Sequence, residues 1–152
     1  MTIAHHDLAT GLVPALRAFV SSTKLHPVLV NFTAALIPVS FFSDLVGRMF
    51  KSESLRSAGW WTMLYALLVT PFTIVAGWLF WMNDDNGAAG MAIHKWLGTA
   101  FIVPLFAVFL WRWSLHRRKA WPPLGYFLIL AILVAALAYQ GHLGGTQVFS
   151  GM

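Results

Sequence analysis

Four long apolar stretches, 27–47, 60–82, 92–113 and 124–140, dominate this chain of 152 residues. Each is close to the ~20 residues that cross a hydrocarbon layer ~30 Å thick. Lipid offers the backbone no hydrogen-bond partner, so a crossing segment of this kind has to be a helix. The separators KSESLRSAG, NDDNGAAG and SLHRRKAWPP are short and polar. Connections this short join antiparallel neighbours, which predicts an all-α, integral membrane four-helix up-down bundle forming one domain over 1–152. Composition agrees: 10% of the residues are charged, against about 25% in a soluble domain.

Ahead of the first span, residues 7–22 place Leu8, Leu12, Leu16, Phe19 and Val20 near one helical face. This pattern predicts an amphipathic helix lying in the membrane interface. The leading segment is not read as a signal peptide, since it lacks a basic start and Pro14 and Arg17 interrupt its apolar stretch. Arg48, Lys51 and Arg56 follow the first span, and Arg112, Arg117, Arg118 and Lys119 follow the third. By the positive-inside rule these loops face the cytoplasm. Both termini then lie on the periplasmic side of a bacterial inner membrane. The net charge of +5 is thus accounted for beside the spans and does not indicate nucleic acid. The eight tryptophans fall near span ends, as an aromatic belt does. Pro38, Pro71 and Pro104 sit mid-span and read as local kinks.

The chain has no cysteine, which excludes thiolate-bound haem, iron–sulfur clusters and covalent c-type haem. Histidine is the strongest ligand left. His26 opens the first span, with Pro27 as a first helical residue and His26 as its cap. His94 lies in the first turn of the third span and His142 follows the fourth. All three share one side of the membrane, near Asp84 and Asp85. His116 sits among arginines on the other side and reads as a solvated loop residue. Going inward along one face come Gly98, Phe101 and Leu105 from His94, and the small Ala138, Ala135 and Ala131 from His142. Thr70, Thr73 and Gly77 offer a comparable face on the second span. Such stripes leave room for a flat ligand and equally permit close helix packing. Asn31 is an intramembrane amide beyond His26. Asp44 has Arg48 four residues on, the spacing of a helix-face ion pair. Ser40 and Ser43 read as hydroxyls bonded back to their own helix, and the paired Gly144–Gly145 reads as a turn that lays the C-terminus along the surface.

LHPVLVNF at the start of span one, Asp44 near its end, IHKWLG opening span three and GHLGGTQVFSG at the close resemble a bacterial membrane family catalogued as domain of unknown function twenty-two thirty-one. The resemblance covers all four spans and points to His26, His94, Asp44 and the terminal glycines. Its members resemble small haem- or metal-binding redox proteins, and they usually show a second histidine where this chain has Asn31.

Three functions follow. The first is a b-type haem protein for electron transfer, with two of His26, His94 and His142 as axial ligands (His26 with His94 across the diagonal, or His94 with His142 on adjacent helices), the third free to bond a propionate, and Asn31, Gly98, Gly144 and Gly145 framing the cofactor. A membrane quinol or a periplasmic electron carrier would be its partner. The second is a mononuclear copper or zinc site on the same three histidines, leaving one open position. The third is a cofactor-free accessory subunit of a larger membrane complex or homo-oligomer. No nucleophile–base pair or phosphate loop marks a hydrolase.

Overall fold

The computed structural model describes residues 3–80 and 89–149. These form α1 (Ile3–Ser22), α2 (Leu25–Phe50), α3 (Glu53–Phe80), α4 (Ala89–Ala100), α5 (Ile102–Arg117) and α6 (Leu124–Phe149). Four candidate spans result: Leu25–Phe50, Glu53–Phe80, Met91–Arg117 and Leu124–Thr146. Each is longer than its apolar stretch alone, because the helices carry on through polar flanks. The interfacial segment is helical over all of α1, which packs on α2 and α3 and buries Val20.

In the third span α4 passes directly into α5: Pro104 has no N–H to give the carbonyl of Ala100, which interrupts the hydrogen bonding there, while Phe101 keeps right-handed helical angles (φ −58°, ψ −26°) and the span continues from Met91 to Arg117. Pro38 and Pro71 leave α2 and α3 continuous. The turn between α2 and α3 uses Lys51 in the left-handed region (φ 54°), with its N–H bonded to the carbonyl of Gly47. A Cβ on Gly47 would lie 3.2 Å from both the Arg56 nitrogen and the Leu55 Cβ, so glycine lets the two helices start apart at minimal distance.

Around the bundle, α2 packs on α3 and α6, and α4–α5 also pack on α3 and α6. The first and third spans therefore face each other across the diagonal, as an up-down bundle requires. The core is apolar at mid-height, where Ile37, Met63, Leu105 and Leu130 are fully buried. Large apolar side chains such as Phe32, Phe72 and Ile132 are more than half exposed on the outer face. That inversion of a soluble protein's surface is what a lipid solvent permits.

Two expectations about α6 need correction. Its inward face carries Tyr126, Leu130, Leu133, Leu137 and Gln140, whereas Ala131, Ala135, Ala138 and His142 are exposed on the other face. The alanine stripe was the lipid side. Nor does Gly144–Gly145 turn the chain, since α6 runs on to Phe149. Two glycines cost a helix about 1 kcal/mol each, but in lipid an unwound backbone has no other hydrogen-bond partner.

Candidate functional site

At the end of the bundle where α2 and α4 begin, two histidines meet across the diagonal. The rings of His26 and His94 are 6.4 Å apart between centroids and nearly perpendicular, at 84°. His26 is not a helix cap. Lys24, in the left-handed region, precedes the helix, and His26 stands inside its first turn. Pro27 is tolerated there because the first four N–H groups of a helix lack internal partners anyway.

Both imidazoles are held in the same manner. His26 Nδ1 lies 3.1 Å from the Thr73 carbonyl oxygen on α3. His94 Nδ1 lies 3.2 Å from the Gln140 carbonyl oxygen on α6. A carbonyl can only accept, so the proton sits on Nδ1 and each ring keeps Nε2 as its free nitrogen. Such second contacts fix the tautomer and orientation of ligating histidines. Four residues after each carbonyl stands a glycine, the position whose side chain would crowd that carbonyl's second lone pair. A Cβ on Gly77 would come within 2.8 Å of His26 Cε1, and one on Gly144 within 2.6 Å of His94 Cε1. Glycine is needed at both points for the rings to reach their carbonyls.

Below the rings lies a cavity lined by His26, Val30, Ala34, Thr70, Gly77 and His94, with Gly98, Phe101 and Leu137 on its far wall. Its volume is about 100 Å³, within an open-sided slot of about 750 Å³. Trp78 closes one wall by donating its Nε1–H to Thr99 Oγ1 at 3.0 Å, with Lys95 over its indole at 4.7 Å. Gln140 is tied to α4 a second time, its Nε2 donating to the His94 carbonyl at 3.1 Å. That leaves Gln140 Oε1 buried without a partner.

The structure brings His26 and His94 together and leaves out their expected companions. His142 and Asn31 are exposed on the outer faces of α6 and α2, away from the cavity. Gly98 does line the wall, where a Cβ would meet Gln140 Nε2 at 2.6 Å; Gly144 seats His94; Gly145 has nothing within 4 Å. Asp84 and Asp85 lie outside the described residues. Among the described residues, no three histidine or carboxylate side chains converge as a metal cage.

The opposite end holds a second polar cluster that the sequence spacing misassigned. Asp44 pairs not with Arg48 but with Arg112 of α5, through Nε to Oδ2 at 2.7 Å and Nη2 to Oδ1 at 2.9 Å. Both side chains are fully buried. Arg112 Nη2 also donates to the Arg56 carbonyl at 2.8 Å, and Tyr126 OH donates to Asp44 Oδ2 at 3.2 Å. Arg48 instead donates to the Pro122 carbonyl. Arg112 is thus no loop residue. Its place in α5 points it inward, where only a carboxylate makes a guanidinium tolerable. Ser40, expected to bond within its own helix, donates to the Gly59 carbonyl of α3 at 2.8 Å. His116 lies in the last turn of α5 and stacks on Trp60, 4.4 Å between centroids.

Several of these residues left a trace in the sequence. Gln140 continues the inward heptad-like face of Tyr126, Leu133 and Leu137, and an amide on such a face is rarely idle. Thr73 acts through its carbonyl, for which no side-chain signal exists. A family model described as Predicted membrane protein (DUF2231) matches residues 22–151. No curated protein and no solved structure matches the chain.

Proposed function

The chain belongs to that membrane family, whose description assigns no activity, and we propose that it binds a b-type haem between His26 and His94 and serves membrane electron transfer. The observation that carries this reading is the matched pair of imidazoles on diagonal helices, each locked through Nδ1 with Nε2 free. A metal–imidazole bond is about 2 Å long. Two such bonds and two half-rings span about 6 Å, close to the observed 6.4 Å between centroids. The cavity alone takes little more than one ring, so a macrocycle held by these residues would need the open side of the slot as well. Non-covalent attachment is the only kind open to a chain without cysteine.

In this reading haem supplies one-electron chemistry. His26 and His94 ligate it. Thr73 and Gln140 would hold the rings and fix their tautomer through the Nδ1–H bonds. The apolar lining excludes water, which tunes a redox potential as ligand choice does. The basic turns at 51–56 and 117–119 favour a cytoplasmic position for the opposite end by the positive-inside rule. The histidine end then faces the periplasm of a bacterial inner membrane, within reach of a quinol in the bilayer and of a soluble electron carrier. A copper or zinc centre fits less well, since catalytic sites of that kind use three protein ligands and His142 stands apart from the other two.

The test is a reduced-minus-oxidised absorption spectrum of protein purified in detergent from cells supplied with haem. Sharp Soret and alpha bands that vanish in His26→Ala and in His94→Ala, and persist in His142→Ala, are expected. A flat wild-type spectrum, or bands that survive both substitutions, overturns the assignment.

A further inference from the structure

Several key residues of the two halves of the bundle correspond at a nearly constant sequence offset. Asp44 and Arg112, which face one another in the buried pair, are 68 positions apart. The same shift carries His26 onto His94 and Ile37 onto Leu105, the last two both fully buried. On the second helix of each half the shift is one residue less. It carries Thr73 onto Gln140, Gly77 onto Gly144, and Met63 onto Leu130, again a fully buried pair. So one histidine–carbonyl–glycine unit occurs in α2–α3 and one in α4–α6, although α2 packs far more closely on α3 than α4 and α5 do on α6. Parallel repeats about an axis normal to the membrane are a known way to build a site at the repeat interface.

We propose that the cavity is a two-fold site made of two equivalent half-sites, in each of which a histidine, a carbonyl and a glycine form one imidazole-positioning unit. His26 with Thr73 and Gly77 is one unit, and His94 with Gln140 and Gly144 is the other. The proposal deepens the haem reading and rests on it for the ligand: a planar metal-centred group presents two equivalent faces, one to each hairpin. Gly77 and Gly144 are positioning residues. Gly77 also lines the cavity, as Gly144 does not; each sets where its ring can go, because a Cβ at either would fall inside the contact distance of the imidazole Cε1. The halves are equivalent at the histidine end and complementary at the other. Two identical hairpins would set Asp against Asp or Arg against Arg, whereas Asp44 with Arg112 closes only the mixed pair. The ion pair selects the pairing, and the equivalent histidines then take up the ligand.

Gly77→Ala and Gly144→Ala test this in the full chain, with Gly145→Ala as the control, since Gly145 has nothing within 4 Å. Histidine carbethoxylation by diethylpyrocarbonate, mapped by mass spectrometry, reads each ring whether or not haem is present. In wild type His26 and His94 are expected to be protected alike and exposed His142 to react freely. Gly77→Ala should raise His26 toward the His142 level and leave His94 protected; Gly144→Ala should do the reverse; Gly145→Ala should change neither. A glycine variant that leaves its own histidine protected overturns the half-site assignment. Wild-type protein gives a second reading free of folding artefacts. Its ¹⁵N-histidine spectrum should show two Nδ1–H tautomers, lost one at a time in His26→Gln and His94→Gln, and a single such signal refutes the equivalence. Paired protection with a flat haem spectrum removes the haem reading and keeps the half-sites. Haem bands with unpaired protection do the opposite.

Discussion

Removing one member of the Asp44–Arg112 pair should harm the protein far more than removing both. Each side chain is fully buried, and the two are joined by bonds of 2.7 and 2.9 Å. Asp44→Ala leaves a guanidinium in the bundle with only the Arg56 carbonyl to face it. Arg112→Met leaves a carboxylate with only Tyr126 OH. Stranding one charge of a buried pair costs about 3–5 kcal/mol, while replacing both by apolar groups is often close to neutral. The double variant should therefore lie well below the sum of the singles, with a coupling of about 2–3 kcal/mol or more. Equilibrium unfolding in detergent micelles, followed by the fluorescence of the eight tryptophans, gives all four corners of the cycle. Single losses under about 1 kcal/mol are what a solvated pair would show. Those losses, or strict additivity, would refute the reasoning.

Gly59 presses its α-carbon against the same carboxylate, and a Cβ there would overlap Asp44 Oδ1. Gly59→Ala should cost about 1–3 kcal/mol in the same unfolding assay, the usual range for overpacking. Tyr126→Phe removes a bond of 3.2 Å to a charged group and should cost about 1.5 kcal/mol, the lower end for such bonds. Ser40→Ala, which frees the Gly59 carbonyl of a 2.8 Å partner, should cost about 1 kcal/mol. Asn31→Leu changes an exposed position outside the cavity; if the chain binds haem as proposed, its haem content per purified chain should match wild type, and a drop would show that Asn31 reaches the site.

The spans were legible because hydrophobicity over ~20 residues reports on the solvent, and lipid leaves little choice of fold. Their order around the bundle followed from short connectors. Which face of each helix turned inward was less legible. In water an apolar stripe marks the core; in lipid both faces are apolar, so α6 gave no contrast between Leu130 and Ala131. That is why the alanine stripe beneath His142 could be read as room for a ligand or as a packing surface, although it faces outward. The nearness of His26 and His94 could be foreseen from equal depth on diagonal spans. Their carbonyl partners could not, since a backbone acceptor carries no sequence mark. Asp44 shows the opposite failure: a tidy local partner, Arg48, stood four residues away, and the true one was an arginine counted with a loop. An intramembrane carboxylate makes a buried partner on another helix the better bet, because a surface pair would leave the carboxylate in lipid.

Between the cavity and the ion pair lies the layer of Ile37, Met63, Leu105 and Leu130, none of which exposes any surface. Proton conduction needs an unbroken file of hydrogen-bonding groups or waters, and a buried water needs about three polar partners. None of these four side chains can donate or accept a hydrogen bond. The bundle is therefore a cup with a dry floor. If the histidine pair does carry redox chemistry, its protons would exchange with the aqueous phase on that side, and this bundle would offer them no path to the other.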